Sequence, residues 1–388
     1  MNQENPVYAV GLMSGTSMDG IDAALCKITP ATKEQGDKVE LLAFYTEDFP
    51  DQVRAELLAL SQGDVGGTRR IALMSSLLGK LYTKAVENLL AQHDFAPERL
   101  SFIASHGQTL YHSLEKEQYL GFEAQQSLQL GEPSYLAERF ACPVVSDFRV
   151  RDIAAGGLGA PLVPFVDAAL YHDPKRDQVL LNIGGISNIT WLPKDGQEII
   201  AFDTGPGNML IDQVVERGTD GALTYDKDGA IAAAGKVHAP LLRWLLSNPY
   251  YQLEPPKNAG RENFGKATVD HIVDEAKVRQ LSLEDLVATL TQLTAQVNFA
   301  AVQNFCPKLP DRLIVSGGGS QNLSLMAALR SLFKTSDVVT GDVLGFDNAA
   351  KEAVAFAYLG YKTMTHETNS LPQVTGAKHP VIMGKISR

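Results

Sequence analysis

Four short runs rich in glycine and hydroxyl residues carry the chemistry open to this chain. The first, GLMSGTSMDG over 11–20, sets Gly11, Gly15 and Gly20 among Ser14, Thr16, Ser17 and Asp19. Glycines let a backbone come close to a phosphate, and consecutive N–H groups in such a turn form an anion-binding nest. The hydroxyls add donors, and Asp19 can hold Mg2+ directly or through water. No Gly-Lys-Ser/Thr follows, and the turn joins strand to strand, so this is not a Walker loop. The second run, NIGGISN over 182–188, repeats the arrangement with Gly184, Gly185 and Asn188. In the third, FDTGPGN over 202–208, Asp203 ends an apolar strand as a candidate general base or Mg2+ partner, and Gly205 and Gly207 turn the chain into a helix start that can face a phosphate. The fourth, SGGGS over 316–320, offers Gly317, Gly318 and Gly319 as bare backbone against which adenosine can lie. Each run also has a plainer reading: a hairpin turn, an Asp that caps the next helix, or an ordinary loop. Two phosphate-type turns facing each other would hold a nucleotide across a cleft.

A second set of polar residues suits a sugar that bears a carboxylate. SHGQT over 105–109 and DFRVRD over 147–152 both read as ends of strands, and they bring His106, Gln108, Arg149 and Asp152. Arg149 can take a carboxylate with two parallel hydrogen bonds. The plainer alternatives are a hydrogen-bonded structural histidine and a surface ion pair of Arg149 with Asp152.

The elements that must position these residues come in the order β-β-β-α-β-α-β-α, and that order occurs twice. This predicts an α/β protein of two domains, 1–172 and 173–348, with a last helix near 349–364 packing back on the first. The polar, proline-containing stretch YHDPKRDQ over 171–178 marks the boundary. Residues 247–266, with three prolines, read as a long irregular loop. The clearest helix is 282–306, with Ser282 as its N-cap and Leu286, Leu290, Leu293, Val297 and Ala300 as a core stripe. The segments 31–39 and 113–126 read as surface insertions.

Bulk properties narrow the class. Two domains are the natural expectation for 388 residues. A formal charge of −11, from 34 basic and 45 acidic residues, disfavours a nucleic-acid binder. The mean hydropathy of −0.07 describes an ordinary globular chain. Cys26, Cys142 and Cys306 lack metal-ligand spacing and suit a reducing compartment. No signal peptide and no apolar run long enough for a membrane span is read, so a cytoplasmic enzyme is expected.

The motifs GLMSGTSMDGID, SHGQT, DFR-x-x-D-x-AAGG-x-GAPLVP, LNIGGISN, FDTGPGN and VSGGG, in this order and spacing, closely resemble the anhydro-N-acetylmuramic acid kinase family. The resemblance runs from residue 8 to the VTGA ending at 377. It departs at Leu158, where many members carry glutamine. It implies two actin/hexokinase-like, ribonuclease H-like domains around a cleft. It also implies a reaction of ATP, water and 1,6-anhydro-N-acetylmuramic acid that gives N-acetylmuramic acid 6-phosphate and ADP in cell-wall recycling. Asp203 would match the family's catalytic aspartate and activate the water. Gly15, Thr16, Ser17 and Asp19 would match its phosphate loop with Mg2+, and Gly317–Gly319 its adenosine side. His106, Gln108, Arg149, Asp152 and Glu352 would match the sugar side, with Lys257, Gly260 and Arg261 in a loop near the substrate. A homodimer is typical of the family. Alternatives with the same residues are a kinase for another sugar, a glycosidase using Asp203 and Glu352, and an ATP-driven clamp.

Overall fold

The structure is a computed structural model, and it describes residues 5–15, 18–32, 36–61, 67–113, 116–345 and 348–388. The chain divides into two compact units, Met1–Tyr171 with Ala349–Arg388, and His172–Asn348.

In the first unit the strands are β1 (Val7–Ser14), β2 (Gly20–Thr29), β3 (Lys38–Asp48), β4 (Phe102–His112), β5 (Glu117–Tyr119), β6 (Phe122–Ala124), β7 (Ser127–Leu130) and β8 (Val144–Ser146). In the second they are β9 (Gln178–Ile183), β10 (Ile186–Leu192), β11 (Ile200–Pro206), β12 (Arg312–Ser316) and β13 (Asp337–Thr340). A tail strand, β14 (Lys385–Ser387), returns to the first sheet beside β8. The first sheet runs β14-β8-β4-β1-β2-β3 with β7 also on β4, and the second runs β13-β12-β9-β10-β11. In both, the first three strands form an antiparallel meander and the next two lie parallel to the first. This shared order, 3-2-1-4-5 with the second strand reversed, is the ribonuclease H-like topology that the family resemblance implies. The expected α/β class with mixed sheets and flanking helices is what the structure has.

The strand β1 is covered on both faces, as its nearly continuous apolar run requires. On one face lies the helix Lys351–Met364, so close that a Cβ on Gly11 would sit 1.9 Å from the Ala353 carbonyl. In the other direction the helix Thr68–Gln92 sends Met74, Leu78, Tyr82, Val86 and Leu89 into one core with Val10, Leu12 and Leu25. Each fully buried aliphatic side chain there contributes about 1.5–3 kcal/mol. In the second unit the helix Leu283–Phe305 starts at Ser282, whose hydroxyl accepts from the Asp285 N–H at 3.1 Å. Its Leu286, Leu290, Leu293 and Val297 are buried, and Ala300 is half-buried.

Four local readings change. The helix Asp51–Ser61 is additional. Residues 147–152 do not end a strand: β8 stops at Ser146, Asp147 takes φ +53°, and a helix runs over Arg149–Ala154. A non-glycine residue in the left-handed region breaks a strand, and the helix then places Arg149 and Asp152 one turn apart. The strand expected to end within 105–109 runs on, as β4, to His112. The proline-rich 247–266 stretch holds a 3-10 turn, Pro249–Gln252, and a helical turn, Arg261–Phe264. Within 113–126, β5 and β6 pair as a hairpin; residues 114–115 and 33–35 of the expected insertions lie outside the described residues. Among the described residues, no helix is long and apolar enough to cross a membrane.

Candidate active site

In the first unit the glycine turn is braced from behind. Ser14 pairs with Gln108 across β1 and β4. Its hydroxyl donates to Gln108 Oε1 at 3.1 Å and lies 3.1 Å from the Tyr82 hydroxyl. The Gln108 amide then donates to the Gly15 carbonyl at 3.0 Å. Both side chains are buried, so they shape the turn. Donors for a phosphate must come from elsewhere in the turn. Thr16 and Ser17 lie outside the described residues. Asp19 forms an exposed ion pair with Arg54 at 2.8 Å, a contact worth little to stability. Gly20 lies in β2, where a Cβ would meet the Glu47 carbonyl at 2.5 Å. Close packing thus accounts for the glycines at both 11 and 20.

The sugar-side residues form a second network in the same unit. Arg149 donates from Nε and Nη2 to His106 Nε2, at 3.1 and 3.0 Å, and from Nη1 to the Gly159 carbonyl at 2.7 Å. Two donors on Nε2 require it to be unprotonated. Burial, then the Arg149 charge, push the His106 pKa well below the usual histidine value, so this imidazole is neutral and acts as an acceptor. Burial lowers Arg149 itself to about 10, against the pull of Glu352 and Asp152; it stays a cation at neutral pH. Asp152 is fully buried and accepts from the Gly159 N–H at 2.9 Å and the Thr375 hydroxyl at 2.8 Å. The tail thereby walls the 155–160 loop, whose Leu158 N–H donates to the Thr375 carbonyl at 2.8 Å. Glu352 stands in the first turn of Lys351–Met364, next to the buried Lys351–Asp167 pair at 2.9 Å. Desolvation, with a smaller push from Asp22, raises the Glu352 pKa against the pull of Lys351 and Arg149.

The second unit is organised by strand register. Asp203 on β11 lies opposite Asn188 on β10, Asn188 opposite Asn182 on β9, and Asn182 opposite Ser316 on β12. Residues directly opposite share a face, so these four make one polar row across four strands. The other face is apolar, with Ile189, Phe202, Leu181 and Val315 in the core. Asp203 is held by its surroundings: Ala259 N–H donates to Oδ2 at 2.9 Å, the Tyr250 hydroxyl donates to its carbonyl at 2.8 Å, and its own N–H reaches the Lys257 carbonyl at 3.1 Å.

The glycines of this unit fall into two groups. A Cβ on Gly207 would sit 2.3 Å from the Gly184 carbonyl, and one on Gly319 would sit 2.4 Å from Ile183. Gly317 and Gly205 are also crowded, at 2.6 and 2.9 Å. Gly184, Gly185 and Gly318 have no neighbour nearer than 3.5 Å to such a Cβ. The first group lets the backbones pack; the second leaves room over the chain for a ligand. The Gly184 and Gly185 carbonyls accept from Asn208 and Met209 at the start of the helix Met209–Gly218, at 2.8 and 3.1 Å.

Each unit by itself carries a glycine turn with polar groups beside it, Ser14 and Gln108 behind the first and the row that includes Asp203 beside the second. The model of the family described as anhydro-N-acetylmuramic acid kinase matches residues 7–388. The chain belongs to the anhydro-N-acetylmuramic acid kinase family. It is 44% identical to the anhydro-N-acetylmuramic acid kinase of Caldanaerobacter subterraneus subsp. tengcongensis over 384 residues, covering 97% of this chain and 96% of the relative. It is 42% identical to that of Francisella tularensis subsp. novicida over 385 residues, covering 98% of each. Component A of the (R)-2-hydroxyglutaryl-CoA dehydratase of Acidaminococcus fermentans superposes only loosely, with 12% identity, a TM-score of 0.47, and 91% and 98% of the two chains covered.

Several residues that shape this kinase-family site were not legible as such. Tyr82 and Thr375 lie far along the chain from their partners. Thr294 donates to the Gly207 carbonyl at 2.9 Å, and Asn298 bonds Thr204 at 2.6 Å and Ser187 at 3.3 Å. Their i, i+4 spacing inside the apolar helix was the signal that could have found them. Asp22, a carboxylate on β2, accepts from Thr46 at 2.7 Å, and burial raises its pKa.

Proposed function

We propose that this protein uses ATP and water to convert 1,6-anhydro-N-acetylmuramic acid into N-acetylmuramic acid 6-phosphate and ADP, in the cytoplasmic recycling of cell-wall sugar. The observation that carries this reading is identity above 40% along nearly the whole of both chains to kinases of that name. In the reaction, Asp203 takes a proton from a water that attacks the anomeric carbon opposite the bridging oxygen. The bond from that carbon to the 6-oxygen breaks as the carbon becomes oxocarbenium-like, so an ordinary carboxylate is base enough. The released 6-oxygen takes the γ-phosphoryl group, and ADP leaves. Positioned base catalysis of this kind contributes about 10²–10⁴-fold.

Arg149, fixed by His106 and the Gly159 carbonyl, supplies a cation for the lactyl carboxylate, and Glu352 accepts a sugar hydroxyl. Gln108 and Asp152, both fully buried, act by shaping the turn and the 155–160 loop. Each unit offers its own glycine turn to phosphate, β1–β2 in the first and β9–β10 in the second, and the second unit offers Gly318 to adenosine. Mg2+ typically rides on the phosphates with one or two protein carboxylates. No group of three metal-binding side chains stands among the described residues, which fits that mode, and Asp19 or Asp22 would supply the carboxylate. When bound, the ion offsets charge on the phosphates. A homodimer is the expected assembly, and light scattering tests it.

The test incubates the protein with Mg-ATP and 1,6-anhydro-N-acetylmuramic acid and follows products by mass spectrometry. The expected result is ADP and a ring-opened sugar phosphate in equal amounts. Turnover of an ordinary hexose or amino sugar, with none of the anhydro sugar, would overturn the substrate and keep the kinase.

A further inference from the structure

Lys257 is buried, only 6% exposed, and among the described residues it makes no ion pair with a carboxylate. Its ammonium sits amid three aromatic rings, 4.6 Å from the centre of Phe305, 5.1 Å from Tyr250 and 5.4 Å from Phe202. Two backbone carbonyls, of Tyr250 and Tyr251, lie 3.4 and 3.5 Å from Nζ. Burial lowers its pKa to about 8. A desolvated cation needs compensation, and the ring faces and carbonyl dipoles are what this site provides. The cage is built from three elements: Phe202 ends the apolar part of β11, Phe305 ends the helix Leu283–Phe305, and Tyr250 belongs to the 3-10 turn.

The same short segment touches Asp203 at both ends. The Lys257 carbonyl accepts from the Asp203 N–H at 3.1 Å, and two residues later the Ala259 N–H donates to Asp203 Oδ2 at 2.9 Å. One cage wall, Phe202, is the residue before Asp203, and another, Tyr250, donates to the Asp203 carbonyl at 2.8 Å. We propose that Lys257 is a positioning residue for Asp203: its caged ammonium pegs the 253–260 segment against β11, and that segment orients the carboxylate. An apolar side chain would fill a cage of three rings at least as well, so the charge serves the carbonyls and the segment's placement beyond simple packing. The inference rests on the reading of Asp203 as the base.

The experiment compares wild type with Lys257→Met, Asp203→Asn and the double variant, measuring kcat, KM for both substrates and thermal unfolding. Methionine keeps length and volume and removes the charge. A misplaced catalytic group can cost about 100-fold, so Lys257→Met should lower kcat by about 10–100-fold with both KM values within about 2-fold. The double variant should be no slower than Asp203→Asn alone. If Asp203→Asn is inactive and Lys257→Met keeps wild-type kcat, the role of Lys257 is overturned and that of Asp203 stands. If Asp203→Asn keeps full activity, the base assignment fails and this inference fails with it. Should Lys257→Met not fold, Phe305→Leu opens one wall of the cage and removes no bond to Asp203; the same fall in kcat supports the proposal, and wild-type kcat there overturns it.

Discussion

The two units use one strand order to hold polar groups in two different ways. In the first, three pairs of functional candidates and partners join residues distant in sequence: Ser14 to Gln108, Arg149 to His106, Asp152 to Thr375. In the second, strand register lines up Asp203, Asn188, Asn182 and Ser316, and a neighbouring segment then fixes the carboxylate. A network of mutual partners fails when one member is removed, because the others are left buried and unpaired. A row set by register tolerates a change of one side chain. Substitutions should therefore cost stability and binding together in the first unit, and turnover alone at Asp203.

The largest effect should come from Asp203→Asn, which keeps the shape and loses the base. Turnover should fall by about 10²–10⁴-fold, while ATP binding by calorimetry and the unfolding temperature stay close to wild type. A large fall in stability would show that the second unit is wired like the first. Next is a contrast within one turn system. Gly207→Ala puts a methyl 2.3 Å from the Gly184 carbonyl and should cost about 1–3 kcal/mol through forced overpacking. Gly318→Ala has a nearest neighbour at 3.5 Å; it should fold normally and weaken only nucleotide binding. Arg149→Met leaves His106 Nε2 and the Gly159 carbonyl without a donor, at about 1–3 kcal/mol for each buried unpaired group. It should raise the sugar KM in the same variant, and denaturant unfolding with steady-state kinetics checks both.

The smallest effects concern pH and have opposite signs in the two units. Burial and the neighbouring Asp226 push Asp212 up to about 7, above its unfolded value near 3.9. Its stabilising protonation is complete in acid and lost as pH rises through 7. The stability of Asp212→Asn relative to wild type should therefore grow from pH 4 to 8. Burial, then the Arg149 charge, lower His112 to about 4, below the unfolded value near 6.5. Its contribution is present above 6.5 and lost as pH falls toward 4, and His112→Gln should flatten that part of the profile.

Much of this was legible because its causes are local. Apolar runs around glycine turns gave β1–β2 and β9–β10, and the Ser282 cap and leucine stripe gave the long helix. The doubled element order gave both sheets. What escaped was set by single backbone choices or by distant partners. Asp147 at positive φ turns an expected strand end into the helix that carries Arg149 and Asp152. Gln108, expected to touch sugar, is spent on Ser14 and Gly15, contacts visible only once β1 and β4 pair. Lys257 in a proline-rich loop gives no local sign of burial, since its cage is built from residues 202, 250 and 305. The segment after 365 had no assigned role; its Thr375 anchors Asp152, and β14 extends the first sheet.

In the proposed reaction, ring opening by water and phosphoryl transfer are coupled. Turnover of 1,6-anhydro-N-acetylmuramic acid with Mg-ATP in ¹⁸O-labelled water, read by mass spectrometry before ring opening exchanges the label, tests it most directly. Coupled chemistry gives one labelled oxygen, at the anomeric hydroxyl, for each ADP formed, and an unlabelled phosphate group. Sugar phosphate with no label at the anomeric carbon, or ADP formed with labelled free phosphate, would contradict it.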